Sequence, residues 1–135
     1  MTVLAWDPAR FDVGVTKMNA EHEVLVGLMN AIHDRANAGA RKGELDALFQ
    51  KLAQATVAHF ADEEAYMASV GFAEIKTHKT IHARLLQDFT AHKAKFDAGD
   101  GTVERSFFDF LSLWLRSHIC HVDMRYNPKA ARKAG

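Results

Sequence analysis

Disulfide chemistry is closed to this chain. It has one cysteine, Cys120, in 135 residues, so no internal bridge can form, and a lone thiol suits a reducing compartment. Proline is nearly missing as well. Pro8 and Pro128 stand near the two ends, and nothing between them interrupts a helix by its ring. An excess of one charge is also absent: 17 basic and 17 acidic residues give a formal net charge of zero. That removes the long-range attraction on which binding to nucleic acid or to an anionic membrane surface depends. No stretch approaches the roughly 18 apolar residues of a membrane span. The segment from Met1 to Phe11 carries Asp7, Pro8 and Arg10 and has no apolar secretory core. The expectation is a cytoplasmic protein with no nucleic-acid partner and no membrane insertion. What remains, 48% hydrophobic and 25% charged residues, is the composition of a soluble globular chain, and its length suits a single domain spanning 1–135.

Apolar residues recur at steps of three and four in four successive segments. The first stripe is His22, Leu25, Met29, Ile32. The second is Leu45, Leu48, Phe49, Leu52, Thr56, His59, Glu63, Met67. The third is Ile75, His78, His82, Leu85, Phe89, His92, Phe96, and the fourth is Phe107, Leu111, Trp114, His118, His121. Glycines punctuate the gaps: Gly39 and Gly43, then Gly71, then Gly99 and Gly101. No segment alternates with the period of two that marks a half-buried strand. The reading is an irregular N-terminal arm over 1–18, helices over about 19–38, 44–69, 72–98 and 103–122, and a tail over 123–135. Short connections make neighbouring helices antiparallel, so the predicted fold is all-α, an up-down-up-down four-helix bundle.

Those stripes are not purely apolar. His22, His59, Glu63, His78, His82, His118 and Asp123 sit on or beside them. His59 and Glu63 are four residues apart, as are His78 and His82. At about 100° per residue, such pairs stack on one helix face and reach a common point. Either pair alone is weak evidence; both facing one core is strong. A buried imidazole or carboxylate without a partner costs several kcal/mol, and a bound cation supplies the partner. Mixed imidazole and carboxylate donors suit a non-haem transition metal. Asp123 fits least well. It follows His118 by five residues, roughly 140° around a straight helix, so a π-type turn or a loosened helix end is needed to bring the two together. His121, three residues on, is the easier partner from a straight helix, and spacing alone does not choose between them.

These residues and their neighbours resemble the hemerythrin family in its single-domain bacterial form. The resemblance rests on His22, His59-x-x-x-Glu63, His78-x-x-x-His82 and His118-x-x-x-x-Asp123. It extends to Trp6, Val13-Gly14-Val15, the run His59-Phe60-Ala61-Asp62-Glu63-Glu64 with Met67, and Trp114-Leu115-Arg116-Ser117-His118-Ile119 with Tyr126. Asn19 and Glu21 stand where relatives often carry Asp and Gln, and Phe72 where Tyr is common. Asn19 remains able to cap the first helix.

The resemblance implies two iron ions, with His78, His82 and His118 on one and His22 and His59 on the other. Glu63, Asp123 and an oxo or hydroxo group would bridge them, and Asp123 rather than His121 would be the ligand. Two octahedra would then keep one vacant position, on the two-histidine iron, for a diatomic ligand. Two ferrous ions, two carboxylates and a hydroxide leave a single positive charge, a modest cost to bury. Leu115 and Ile119, with Phe60, Leu25 and Trp114, would form the O2 pocket. The implied function is reversible O2 binding for carriage, storage or delivery rather than catalysis. NO or azide-like anions are further small ligands, and any recipient or signalling protein is unidentified. The alternatives are an O2 or redox sensor acting through a separate partner, and a di-iron enzyme acting on peroxide or nitric oxide. No Lys, Arg, Ser or Tyr on the ligand-bearing faces stands out as a proton donor, which favours binding over turnover. Asp62 and Glu64 are read as solvated, His33 as structural, and His92 as partly exposed.

Overall fold

A computed structural model of the chain describes residues 11–119 and 123–126. It contains α1 (Thr16–Asn37), α2 (Lys42–Ser69), α3 (Ile75–Ala98) and α4 (Arg105–Ser117), followed by a 3-10 turn over Asp123–Tyr126. No strand occurs among the described residues. Connections of a few residues reverse the chain after each of the first three helices. α1 packs against α2 and α4, and α2 against α3, which makes an all-α antiparallel four-helix bundle. None of these helices is long and apolar enough to cross a membrane.

The stripes face the interior. Leu25, Met29 and Ile32 of α1 meet Leu45, Phe49, Leu52 and Met67 of α2, Phe96 of α3, and Phe107, Leu111 and Trp114 of α4 in one buried core. Glycine ends the first two helices where the backbone must turn left-handed. Gly39 has φ 86° and Gly71 φ 67°, and the residue after each donates back to the carbonyl five before it, Ala40 to Arg35 and Phe72 to Met67. A side chain at either glycine would oppose that conformation. Across the first connection, Arg35 donates to Glu44 at 2.7 Å. At the same end of the bundle, Lys42 donates to the carbonyls of Asp97 and Gly99 at 2.6 and 2.8 Å, tying the start of α2 to the end of α3.

Two boundaries depart from the periodicity for identifiable reasons. α1 begins at Thr16, before Asn19, so Asn19 is not its cap, and no side chain caps that end. Asn19 instead pins the arm: its Oδ1 accepts from the Val13 N–H at 2.9 Å and its amide donates to Asp12 at 2.9 Å. α4 keeps α-helical hydrogen bonding only to Ser117, and the backbone widens into a π turn at 118–119. The distortion lies where the five-residue step from His118 to Asp123 requires one.

Candidate metal centre

Each helix delivers part of one buried cluster. His22 comes from α1, His59 and Glu63 from α2, His78 and His82 from α3, His118 from the end of α4, and Asp123 from the 3-10 turn. All seven are buried, and the two carboxylates are 0% exposed. The donors fall into two groups that share those carboxylates, one of Glu63, His78, His82, His118 and Asp123, the other of His22, His59, Glu63 and Asp123. Glu63 Oε1 lies 2.8 Å from His82 Nε2 and 3.1 Å from His78 Nε2. Its other oxygen, Oε2, lies 3.3 Å from His59 Nε2 and 3.6 Å from His22 Nε2. Asp123 divides in the same way. Oδ1 is 2.9 Å from both His78 and His118, and Oδ2 is 2.9 Å from His22.

Apart from the hydrogen bond between His78 Nε2 and Glu63 Oε1 at 3.1 Å, proximity within the cluster is not hydrogen bonding. Nε2 of His22, His59, His82 and His118 and both oxygens of Asp123 are buried yet have no aligned hydrogen-bond partner among the described residues. Atoms this close, with their lone pairs aimed at a shared point rather than along N–H directions, are arranged as a ligand set. Buried polar groups left in that condition are costly, and a cation at each convergence point satisfies them. Five imidazoles and two carboxylates exceed what a closed tetrahedral zinc site takes. The donors suit two first-row transition ions bound through nitrogen and oxygen.

The electrostatics are those of a cluster waiting for positive charge. Burial by itself pushes the His78 imidazole down, but Asp123 and Glu63 outweigh it and hold the group up at about 9. His22 and His118 shift up by the same balance of burial against those two carboxylates. Burial opposes ionisation of Glu63, yet the surrounding imidazoles, His118 first, hold it far below the usual carboxylate range. Asp123 is likewise held down against burial, chiefly by His118.

A second ring of residues supports the first, and three of its members are not apparent from helical spacing. Glu64 is not simply solvated, because its carboxylate accepts from His82 Nδ1 at 3.0 Å. Glu21 accepts from His59 Nδ1 at 2.6 Å. Tyr126, buried, donates its hydroxyl proton to Glu63 Oε2 at 2.7 Å, so a tyrosine does stand on the site, contrary to the expectation. Burial and the nearby carboxylates push its pKa well above the ordinary tyrosine value, which makes it a reluctant acid. Its signal was position: three residues after Asp123, it shares a face of the 3-10 turn. Asp62, 40% exposed, lies 3.6 Å from Lys17 and also contacts Glu21, so that burial first and Asp62 next push the Glu21 carboxyl above its ordinary value.

Leu25, Phe60, Trp114, Leu115 and Ile119 are all buried. Phe60 lies flat on His82 with ring centroids 3.8 Å apart and approaches His118 and Trp114 at 5.9 and 6.1 Å. His33 sits edge-on to Phe108 at 5.0 Å, and half-buried His92 stacks on Phe107 and Phe110. Neither joins the cluster. His121 lies outside the described residues.

A buried, histidine-rich cluster that could hold metal ions, inside an antiparallel four-helix bundle, is the arrangement of a non-haem cation-binding domain. The Hemerythrin HHE cation binding domain family matches residues 13–130, and the chain belongs to that family. It is 31% identical over 128 residues to a bacteriohemerythrin of Methylococcus capsulatus, covering 95% of this chain and 97% of the relative. A hemerythrin-like protein of Naegleria gruberi is 34% identical over 122 residues, with 90% and 88% covered. Among solved structures, wild-type hemerythrin superposes with a TM-score of 0.84 at 30% identity, covering 95% of this chain and 98% of that one.

Proposed function

We propose that this chain binds O2 reversibly at two iron ions held by His22, His59, Glu63, His78, His82, His118 and Asp123, and that it carries, stores or delivers O2. The observation that carries this reading is the uneven division of donors around shared carboxylates. Three Nε2 atoms face one oxygen of Glu63 and Asp123, and two face the other. His78, His82 and His118 would hold one ion and His22 and His59 the other. With one fewer imidazole, the second has room for a small ligand. When bound, a ferrous pair supplies two electrons and a Lewis-acidic position to O2.

The remaining residues decide whether a bound diatomic leaves unchanged. Leu25, Phe60, Trp114, Leu115 and Ile119 put apolar surface around the centre and exclude water. Tyr126 keeps its proton on Glu63 Oε2 and away from the pocket. An apolar groove of about 250 Å³, lined by Ile81, Leu85, Phe110 and Leu113, reaches Trp114 and His118 from the surface and admits a small apolar molecule more readily than an ion. Dry walls and a committed proton favour release over turnover.

Anaerobic reduction followed by exposure to O2, with visible spectra and iron content recorded, tests the proposal. Two irons per chain and oxy bands that vanish on deoxygenation are expected. One iron, or oxidation with no reversible phase, would overturn it.

A further inference from the structure

Two carboxylates back onto the centre from outside, one behind each group of donors. Glu21 of α1, with its side chain 22% exposed, accepts from His59 Nδ1 at 2.6 Å. Glu64 of α2, 30% exposed, accepts from His82 Nδ1 at 3.0 Å. Both rings turn Nε2 inward, His59 to within 3.3 Å of Glu63 Oε2 and His82 to within 2.8 Å of Glu63 Oε1. A neutral imidazole has one ring proton. Holding it at Nδ1 leaves Nε2 as a bare lone pair. His22 lies in the same group as His59 but has no Nδ1 partner among the described residues, so this backing is selective.

We propose that Glu21 and Glu64 are positioning residues, one for each metal ion. They fix His59 and His82 in the Nδ1–H tautomer and, through their charge, make the centre hold its higher oxidation state more tightly. The proposal rests on the di-iron reading. A carboxylate behind a ligating imidazole orients the ring and raises its basicity, and a more basic ligand favours a trivalent ion over a divalent one. The arrangement also assigns each carboxylate to a different ion, Glu21 to the two-histidine group and Glu64 to the three-histidine group.

The test uses the full-length protein, loaded with ferrous iron under anaerobic conditions. Chelator competition gives the affinity and a dye-mediated redox titration gives the midpoint potential. Glu21→Gln and Glu64→Gln keep an acceptor oxygen but remove the charge; Glu21→Ala and Glu64→Ala remove both. The Gln variants should retain two irons and shift to a higher potential. A loss tenfold greater for ferric than for ferrous iron is a rise of about 59 mV for a one-electron couple. The Ala variants should bind ferrous iron about 10- to 100-fold more weakly, each losing one of the two ions first. Glu44→Gln, whose partner is the distant Arg35, should alter neither reading.

Unchanged affinity and potential in all four variants, with helical content intact by circular dichroism, overturn the proposal. A response confined to the Ala variants overturns its charge component. Fewer than two irons in the unsubstituted protein instead overturns the di-iron reading beneath it, so the two failures are distinguishable.

Discussion

The two ends of the bundle bury their interiors by different means. At the end where α2 begins, Phe49 lies parallel to Phe107 with centroids 4.7 Å apart, and Phe96 leans against it at 5.0 Å. Leu45, Ile32 and Leu111 close around them. This end is complete as it stands, since burial of apolar surface is its own driving force. At the other end, five histidines and two carboxylates are as deeply buried, and the inward atoms of His22, His59, His82, His118 and Asp123 oppose one another without hydrogen-bond alignment. One region is stabilised by folding itself; the other, on the di-iron reading, by what it binds. Perturbations should therefore divide, with substitutions at the aromatic end costing stability and substitutions of the clustered donors costing metal.

The largest effect is expected from His78→Ala. His78 approaches both shared carboxylates, at 3.1 and 2.9 Å, so iron content should fall from two per chain toward one or below. Two irons at full occupancy would remove His78 from the ligand set. Next is Phe49→Ala at the opposite end. Truncating a fully buried aromatic costs about 3–5 kcal/mol, readable by denaturant titration, while the folded fraction should still bind iron at the original ratio. Metal loss in proportion to instability would show that the ends are not separable.

A smaller change should follow Tyr126→Phe, which removes the donor to Glu63 and leaves that oxygen to its imidazoles. A hydrogen bond to a charged group contributes about 1.5–3 kcal/mol. The metal-free protein should lose stability of that order, with iron content maintained. An unchanged melting temperature would mean that the contact contributes nothing.

The subtlest test is pH. With its folded pKa raised to about 9 from 6.5, His78 stabilises the metal-free fold fully below 6.5 and loses that contribution as pH rises through about 9. Glu63 and Asp123 are shifted down from 4.5 and 3.8. Their contribution is present above those values and lost as pH falls through the lowered ones. The metal-free protein should therefore melt highest between about 4.5 and 6.5 and lower at pH 9. Iron affinity should run the other way, because binding expels the same protons. A metal-free melting temperature that climbs from pH 6 to pH 9 would contradict this arrangement.

Much of the architecture was legible because the bundle obeys one periodicity from α1 to α4. The stripes that carry His22, Glu63 and His82 needed only helical spacing to be seen. Asp123 was legible in a different sense: its misfit announced a distortion, and the π turn at 118–119 lies in that interval. The supporting residues were harder to read. Glu64 adjoins Glu63 on a face that spacing assigns to solvent, yet it reaches a histidine of the neighbouring helix. Such a contact depends on how far apart α2 and α3 lie, which no single-helix pattern encodes. Asn19 looked like a cap by residue type, but its side chain was drawn to the arm residues Asp12 and Val13. Residue type gave the capacity to hydrogen-bond, and the packing of the arm chose the partner.

The order in which the chain leaves the ribosome bears on the 3-10 turn that carries Asp123. His22 emerges early, and its contact at 2.9 Å is with a residue 101 positions later. Until that last carboxylate is in place, the histidines of all four helices converge on one shared carboxylate in place of two. Closing the cluster is then a late tertiary step, because its second shared carboxylate has to fold back across the bundle to meet His22.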